Sequence, residues 1–349
     1  MNRKHKTYGH FFMMVIALVL AAVGTSAVYQ IARNRPPIAY GNLSPEAIAR
    51  FKKQMSKSGE KGALFTIDQL NLAQWDNEND LGAQDSAGWS KIEDNNFIIY
   101  YKDDMQGVWK QKAKITLKLV NEAIPQMKEI FGSYTYPKDI NDRKLPIYLP
   151  PTRSQYGQTI NLLRNEPVDA ESSLGITIYK VSQSGFLPLG IVIRNDVFDA
   201  DNFQNSLVVV ATHELTHYVY GSLFQFSDKL IPKNWVTEGI ADYTAGRSPQ
   251  VQGSDSINFI NNYCDLLNDF PIEHGNFVDN QYWAGESFFD FVEEKYGKET
   301  VSKFIQTTYT TPIDSVILAV FPNSNNIHKE WVEAISKNAE PQSSISSNN

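Results

Sequence analysis

Cysteine is nearly missing from this chain: Cys264 is the only one in 349 residues. No intramolecular disulfide can form, and no cysteine able to carry a lipid follows the apolar segment near the N-terminus, so packing or a metal ion must supply stability. Basic charge is also short. Residues 36–349 hold 27 Lys and Arg against 39 Asp and Glu, a net charge of −12. That balance leaves no basic surplus to neutralise phosphates and argues against nucleic acid as a partner. Internal repeats are absent. Histidine is scarce too: only His213, His217, His274 and His328 follow residue 35.

Long apolar runs are missing except at one place. Residues 11–29, FFMMVIALVLAAVGTSAVY, form a run of 19 between Arg3, Lys4 and Lys6 on one side and Arg33 and Arg35 on the other. The length is close to the roughly 20 residues that span a bilayer and exceeds the roughly 7–15 of an ordinary signal core. Positive charge ahead of it favours a cytoplasmic N-terminus, with everything after about residue 35 outside the cytoplasm. Small residues at Thr25, Ser26 and Ala27 also make an acceptable cleavage site. The expectation is either a single-pass membrane protein with its C-terminal domain outside, or a secreted one. Residues 1–35 are therefore set apart as signal-anchor or signal peptide.

Residues 36–88 read as a polar linker with one short helix, capped by Ser44 and Pro45 and stopped by Gly59. Asp76, Glu78 and Asp80 alternate like a calcium loop, but Leu81 stands where Gly is needed and Ala87 where a bidentate Glu is needed, so a solvated acidic linker is expected. Order should begin near Trp89 and end near residue 335, with 336–349 a disordered tail ending in EPQSSISSNN. Within 89–335, NFIIYYKD reads as a strand and Val108 to Phe131 as a helix stopped by Gly132. KLPIYLP, GITIYK and GIVIRN read as further strands. Next comes VVVATHELTHYVYG, a helix with Asn202, Asn205 and Ser206 as available caps and Gly221 as its stop. The segments WVTEGIADYTAG and YWAGESFFDFVEEKYG are helical in pattern. Strands first and helices afterwards imply an α+β fold, with a cleft between a sheet lobe and a mainly helical lobe.

His213, Glu214 and His217 interrupt an otherwise uncharged helix. At i and i+4, the two imidazoles are offset by about 40° and about 6 Å along one face, so both can reach one ion. Glu214, about 100° round from His213, stands where it can take a proton from a water at the ion, a base position and not a ligand position. A buried Glu without compensation would be costly, which strengthens a metal reading. A hydrolytic zinc site has three protein ligands, the third a His, Asp or Glu. NWVTEGIADY offers Glu238 for it, with Asp242 at i+4 to accept a proton from a ligand imidazole and fix its tautomer.

HELTH followed by WVTEGIADY resembles the gluzincin zinc metallopeptidases, and more narrowly the peptidase-MA-like bacterial proteins. The resemblance runs from about Trp89 to about Thr308. It implies a zincin-like fold with a mixed sheet carrying the HExxH helix. It also implies Zn2+ held by His213, His217 and Glu238, with Glu214 as catalytic base. Glu238 to Asp242 is similar to the E-x-x-x-D of thermolysin-like enzymes, in which the Asp supports a zinc histidine. Tyr282 to Gly285 is similar to the Y-x-x-G of the aminopeptidase branch, which implies that the Tyr282 hydroxyl binds the oxyanion; His274 is the alternative. The G-x-M-E-N exopeptidase signature of that branch is lacking, so a free substrate N-terminus is not implied. Trp235 and Tyr243 are expected as walls around the metal. GIVIRN is expected either as the edge strand that pairs with an extended substrate or as an ordinary sheet strand.

The expected activity is hydrolysis of peptide bonds in peptide or protein substrates outside the cytoplasm. Two alternatives stand beside it. One is a catalytically silent, zinc-clamped interaction protein anchored to the membrane; the other is a zinc hydrolase of cell-wall amides.

Overall fold

The β-branched and aromatic residues of FIIYY and LPIYL form neighbouring strands, and the rest of the fold is arranged on them. The computed structural model describes residues 88–339 apart from short segments, the longest being 138–142, 165–172, 225–229 and 248–252. The apolar N-terminal run, the helix expected between Ser44 and Gly59, the acidic stretch at Asp76–Asp80 and residues 340–349 lie outside the described residues.

Five strands make one mixed sheet. These are β1 (Ser90–Glu93), β2 (Phe97–Tyr101), β3 (Leu145–Leu149), β4 (Gly175–Ser182) and β5 (Gly185–Ile193), in the order β1-β2-β3-β5-β4. β2, β3 and β5 are mutually parallel, while β1 and β4 run antiparallel to their neighbours. GIVIRN thus belongs to β5, inside the sheet, and the edge beside it is β4. Its Ile191, Val192 and Ile193 are fully buried, as expected of a strand paired on both sides and covered on both faces.

Nine α-helices occur among the described residues. α1 (Val108–Phe131) begins where Asp104 accepts hydrogen bonds from the Val108 and Trp109 N–H groups, and it ends at Gly132, whose φ of 88° suits glycine. Ala113, Val120, Ile124, Met127 and Phe131 form its buried stripe. On the opposite face of the sheet, α2 (Arg153–Arg164) sets Tyr156, Ile160 and Leu163 against Tyr100, Tyr148, Ile178 and Val192. Sequence periodicity had not marked α2, whose RSQYGQTINLLR is polar with glycine at its centre.

α3 (Phe203–Leu223) carries HELTH and packs on β4, β5 and α1. Asn205 and Ser206 lie in its first turn and do not cap it, and Asn202 falls outside the described residues. Gly221 does not stop this helix. A Cβ there would lie 2.6 Å from the Tyr179 hydroxyl, so the glycine serves close packing.

The remainder is helical, as expected: α4 (Asn234–Ala245), α5 (Gly253–Tyr263), α6 (Asn280–Tyr296), α7 (Lys298–Thr308), α8 (Ile313–Val320) and α9 (Ile327–Ala339). A two-stranded ladder, β6 (Glu273–His274) with β7 (Phe277–Val278), precedes α6. α9 runs four residues past the expected boundary at 335. Trp235, Phe270, Phe288, Phe304, Phe321 and Trp331 form an aromatic core under these helices. The architecture is α+β, a five-stranded mixed sheet followed by a mostly helical C-terminal region.

Candidate metal centre

α3 is buried along both its sheet side and its helix side because β4 and β5 cover one flank and α4 the other. That placement explains its uncharged sequence and puts His213, Glu214 and His217 in the interior, none more than 6% exposed. α4 packs against α3 and brings Glu238, 2% exposed, to the two imidazoles. The Nε2 atoms of His213 and His217 are 2.9 Å apart. Glu238 Oε2 lies 3.5 Å from the first and 3.2 Å from the second. Among the described residues this is the one group of His, Cys, Asp and Glu whose ligand atoms converge in a manner able to hold a metal ion.

Asp242, one turn beyond Glu238, orients His213, the first of the three candidate ligands. His213 Nδ1 is 2.6 Å from Asp242 Oδ1, which keeps a proton on Nδ1 and turns Nε2 toward Glu238 and His217, so that Nε2 is the nitrogen left for an ion. Arg247 Nη1 in turn lies 3.0 Å from Oδ1 and 3.2 Å from Oδ2 of Asp242. Nothing in the sequence around Arg247 marks it for this contact. It follows Gly246, whose φ of 68° closes α4 and folds the chain back so that the Arg247 N–H also meets the Asp242 carbonyl.

The electrostatics of the group favour positive charge. Burial disfavours charge on His213, but the Asp242 carboxylate, with help from Glu238 and Glu214, overrides it and raises the imidazole to about 10. Burial likewise pushes Glu238 toward protonation, yet the neighbouring His217 and His213 hold its carboxyl well below the usual range. Glu214, Glu238 and Asp242 are buried around the His213 imidazole and the Arg247 guanidinium, a set in which a bound cation can take the place of the proton on His213 Nε2. Glu238 Oε2 and His217 Nδ1 are buried without a hydrogen-bond partner among the described residues. The donor set and the orphaned carboxylate oxygen therefore fit a bound ion.

Glu214 has its own partner. The Thr177 hydroxyl on β4 lies 2.7 Å from the Glu214 carbonyl and 2.8 Å from its Oε2. Nothing in the local pattern of GITIYK singled Thr177 out.

Tyr282 is brought beside the ligands. Its ring lies nearly parallel to that of His213, 16° between planes and 5.9 Å between centroids. His274 is in β6, paired with Phe277, and its side chain lies outside the described atoms. Trp235 is in the aromatic core, stacked on Phe270 at 5.0 Å, and Tyr243 packs on Phe289 while its hydroxyl donates to Glu293. Neither is placed as a wall of the ligand group by these contacts. Glu286 of α6 is a further buried carboxyl, 2% exposed, with Oε1 lacking a hydrogen-bond partner among the described residues. Burial, then the charges of Asp242 and Asp290, raise it to about 9, so it is neutral at pH 7.

Compared with known proteins, the chain matches no protein-family model and no curated relative.

Proposed function

We propose that this protein is a zinc metallopeptidase of the gluzincin type, built on a zincin-like fold and acting on peptide or protein substrates outside the cytoplasm. The observation that carries the reading is the convergence of His213, His217 and Glu238 beside a separately held carboxylate, Glu214. Ligand atoms placed tetrahedrally about 2.0–2.1 Å from zinc stand about 3.3 Å from one another. The 2.9, 3.2 and 3.5 Å separations here bracket that value. With three protein ligands, one tetrahedral position is left for chemistry, which distinguishes a hydrolytic from a closed structural site.

A bound zinc ion would acidify water and polarise a substrate carbonyl. The protein's own groups divide the remaining work. Glu214, one residue along α3 from His213 and not among the converging ligand atoms, accepts a proton from the attacking water and passes it to the leaving amine. Asp242 holds His213 in the tautomer that presents Nε2. Tyr282, stacked beside His213, donates its hydroxyl to the developing oxyanion. β4, paired only with β5 among the described strands, offers its other edge to an extended substrate backbone. Placement outside the cytoplasm, and attachment to a membrane, rest on the apolar run at residues 11–29; no described helix is long and apolar enough to cross a membrane.

The test is turnover by the full chain in detergent, loaded with zinc, on casein, a peptide library and peptidoglycan, with products identified by mass spectrometry. Wild-type protein should cleave peptide bonds, and Glu214→Gln should keep zinc while losing about 10²–10⁴ in rate. Cleavage confined to peptidoglycan amides would move the reading to a cell-wall hydrolase. Wild-type-like turnover by Glu214→Gln would remove the base from its role, and an inert wild type would leave a zinc-clamped interaction protein.

A further inference from the structure

We infer that Thr177 is a positioning residue for Glu214 and that the face of β4 turned to α3 sets how that carboxylate stands toward the ligand cluster. The inference rests on the metallopeptidase reading for its catalytic consequence, though not for the contact itself.

Three residues of β4 meet α3 in succession. Gly175 comes first: a Cβ there would lie 2.8 Å from Glu214 Cγ, 2.8 Å from Val210 Cγ1 and 3.1 Å from Glu214 Oε1. A side chain at 175 would press the carboxylate out of its place, and the glycine leaves the room that Glu214 occupies. Thr177 follows two residues on, on the same face of the strand, with its hydroxyl between the carbonyl and Oε2 of Glu214. Tyr179, just past an irregularity in the β4–β5 pairing, sends its hydroxyl to the His217 carbonyl and its ring against Gly221. One strand therefore touches the base, the base's own carbonyl and the carbonyl of a ligand.

The chemistry of the contact assigns the role. Glu214 is buried, and the N–H groups of its own helix are committed to helical carbonyls, so a donor for its carboxylate must come from another element. Thr177 supplies one from a side chain that is 4% exposed and, being β-branched, restricted at χ1. The hydroxyl has one proton for two oxygens, and the carboxylate is the stronger acceptor of the two; with that proton on Oε2, Oε1 is the oxygen left to take a proton. A flexible acid becomes one with a defined orientation, and small misplacements of a reacting group are expensive in rate, on the order of 10²-fold for about 1 Å.

The experiment compares Thr177→Val, which keeps the shape and removes the hydroxyl, with Thr177→Ser, which keeps the hydroxyl. In the zinc-loaded full chain, the Val variant should lose about 10–10²-fold in kcat with KM within about twofold, while zinc per chain stays at the wild-type value. The Ser variant should recover most of the rate. Wild-type kcat in the Val variant, or a Ser variant no better than Val, overturns the inference. A second measurement is independent of turnover: a double-mutant cycle of Thr177→Val with Glu214→Ala in the metal-free protein, read from denaturant unfolding. The folding equilibrium constants should show coupling of about tenfold, the scale of a hydrogen bond to a charged group. Coupling below about twofold overturns the contact. If zinc-loaded wild type hydrolyses nothing, the proposed activity falls, and the cycle alone decides whether Thr177 holds Glu214.

Discussion

Gly239 of α4 and Gly285 of α6 meet backbone to backbone. A Cβ on Gly239 would lie 2.4 Å from the Gly285 carbonyl carbon, and one on Gly285 would lie 2.4 Å from the Trp235 carbonyl oxygen. The contact sits one residue after the candidate ligand Glu238 and three after Tyr282, so it fixes the spacing of the two helices that bring those side chains together. In an isolated helix Gly→Ala is worth about 1 kcal/mol in favour of Ala. Here the added methyl meets backbone and no rotamer change relieves it. Gly239→Ala should therefore destabilise by about 1–3 kcal/mol, the usual scale of overpacking, and weaken metal binding. Urea unfolding and a chelator titration check both; wild-type stability would mean that the helices separate without consequence.

In the proposed metal centre Asp242 acts through His213, with which it shares a buried contact. Asp242→Asn should keep the fold but weaken zinc binding about 10–100-fold, because the amide competes poorly for the Nδ1 proton and breaks the link to Arg247. A competition titration against a chelator measures it. Unchanged affinity would reduce Asp242 to a packing residue.

For Tyr282 the prediction is kinetic. Tyr282→Phe removes only the hydroxyl, so the ring should still pack beside His213 while kcat falls about 10²–10³-fold and KM changes little. His274→Ala, assayed alongside, should have a much smaller effect. Reversed results would transfer the oxyanion role to His274, and two small effects would remove it from both.

Glu286 predicts a pH dependence. A carboxyl near 9 in the folded protein keeps its proton where the unfolded chain, near 4.5, has lost it. Folding then takes up a proton, so the group's contribution to stability falls as pH rises from about 4.5 toward 9. Glu286→Gln carries no such proton. Its stability relative to wild type should increase between pH 5 and pH 8, by up to about 1.4 kcal/mol per pH unit, in denaturant unfolding of the metal-free protein. A difference that does not vary with pH would show that Glu286 ionises freely.

Much of the site could be read along the chain because helical geometry is local. The i, i+4 spacings of His213 with His217 and of Glu238 with Asp242 each lie within about one turn of a single helix, the need of a hydrolytic zinc site for a third protein ligand points to the carboxylate on the next helix, and the structure brings these four together. α1 and its stop at Gly132 were legible for the same reason. What escaped notice depends on partners far away in sequence. Periodicity shows that GIVIRN is a strand but not that β4, which starts 15 residues earlier, takes the sheet edge in its place. Gly221 looks like a helix stop until Tyr179 is seen against it. Thr177 is an unremarkable strand residue until α3 folds Glu214 onto it, 37 positions on. Arg247 gains meaning only from Asp242, and Glu286 from its burial and from the carboxylates of Asp242 and Asp290 around it.

The most direct measurement of the central claim is metal content, by mass spectrometry of the purified chain after loading with zinc and removal of the excess. Wild-type protein and Glu214→Gln should each hold one zinc per chain, while His213→Ala, His217→Ala and Glu238→Ala should each hold little, because an ion that needs three protein ligands is poorly retained by two. One zinc per chain in Glu238→Ala would contradict the ligand set, and a wild-type chain that holds none would contradict the metal centre itself.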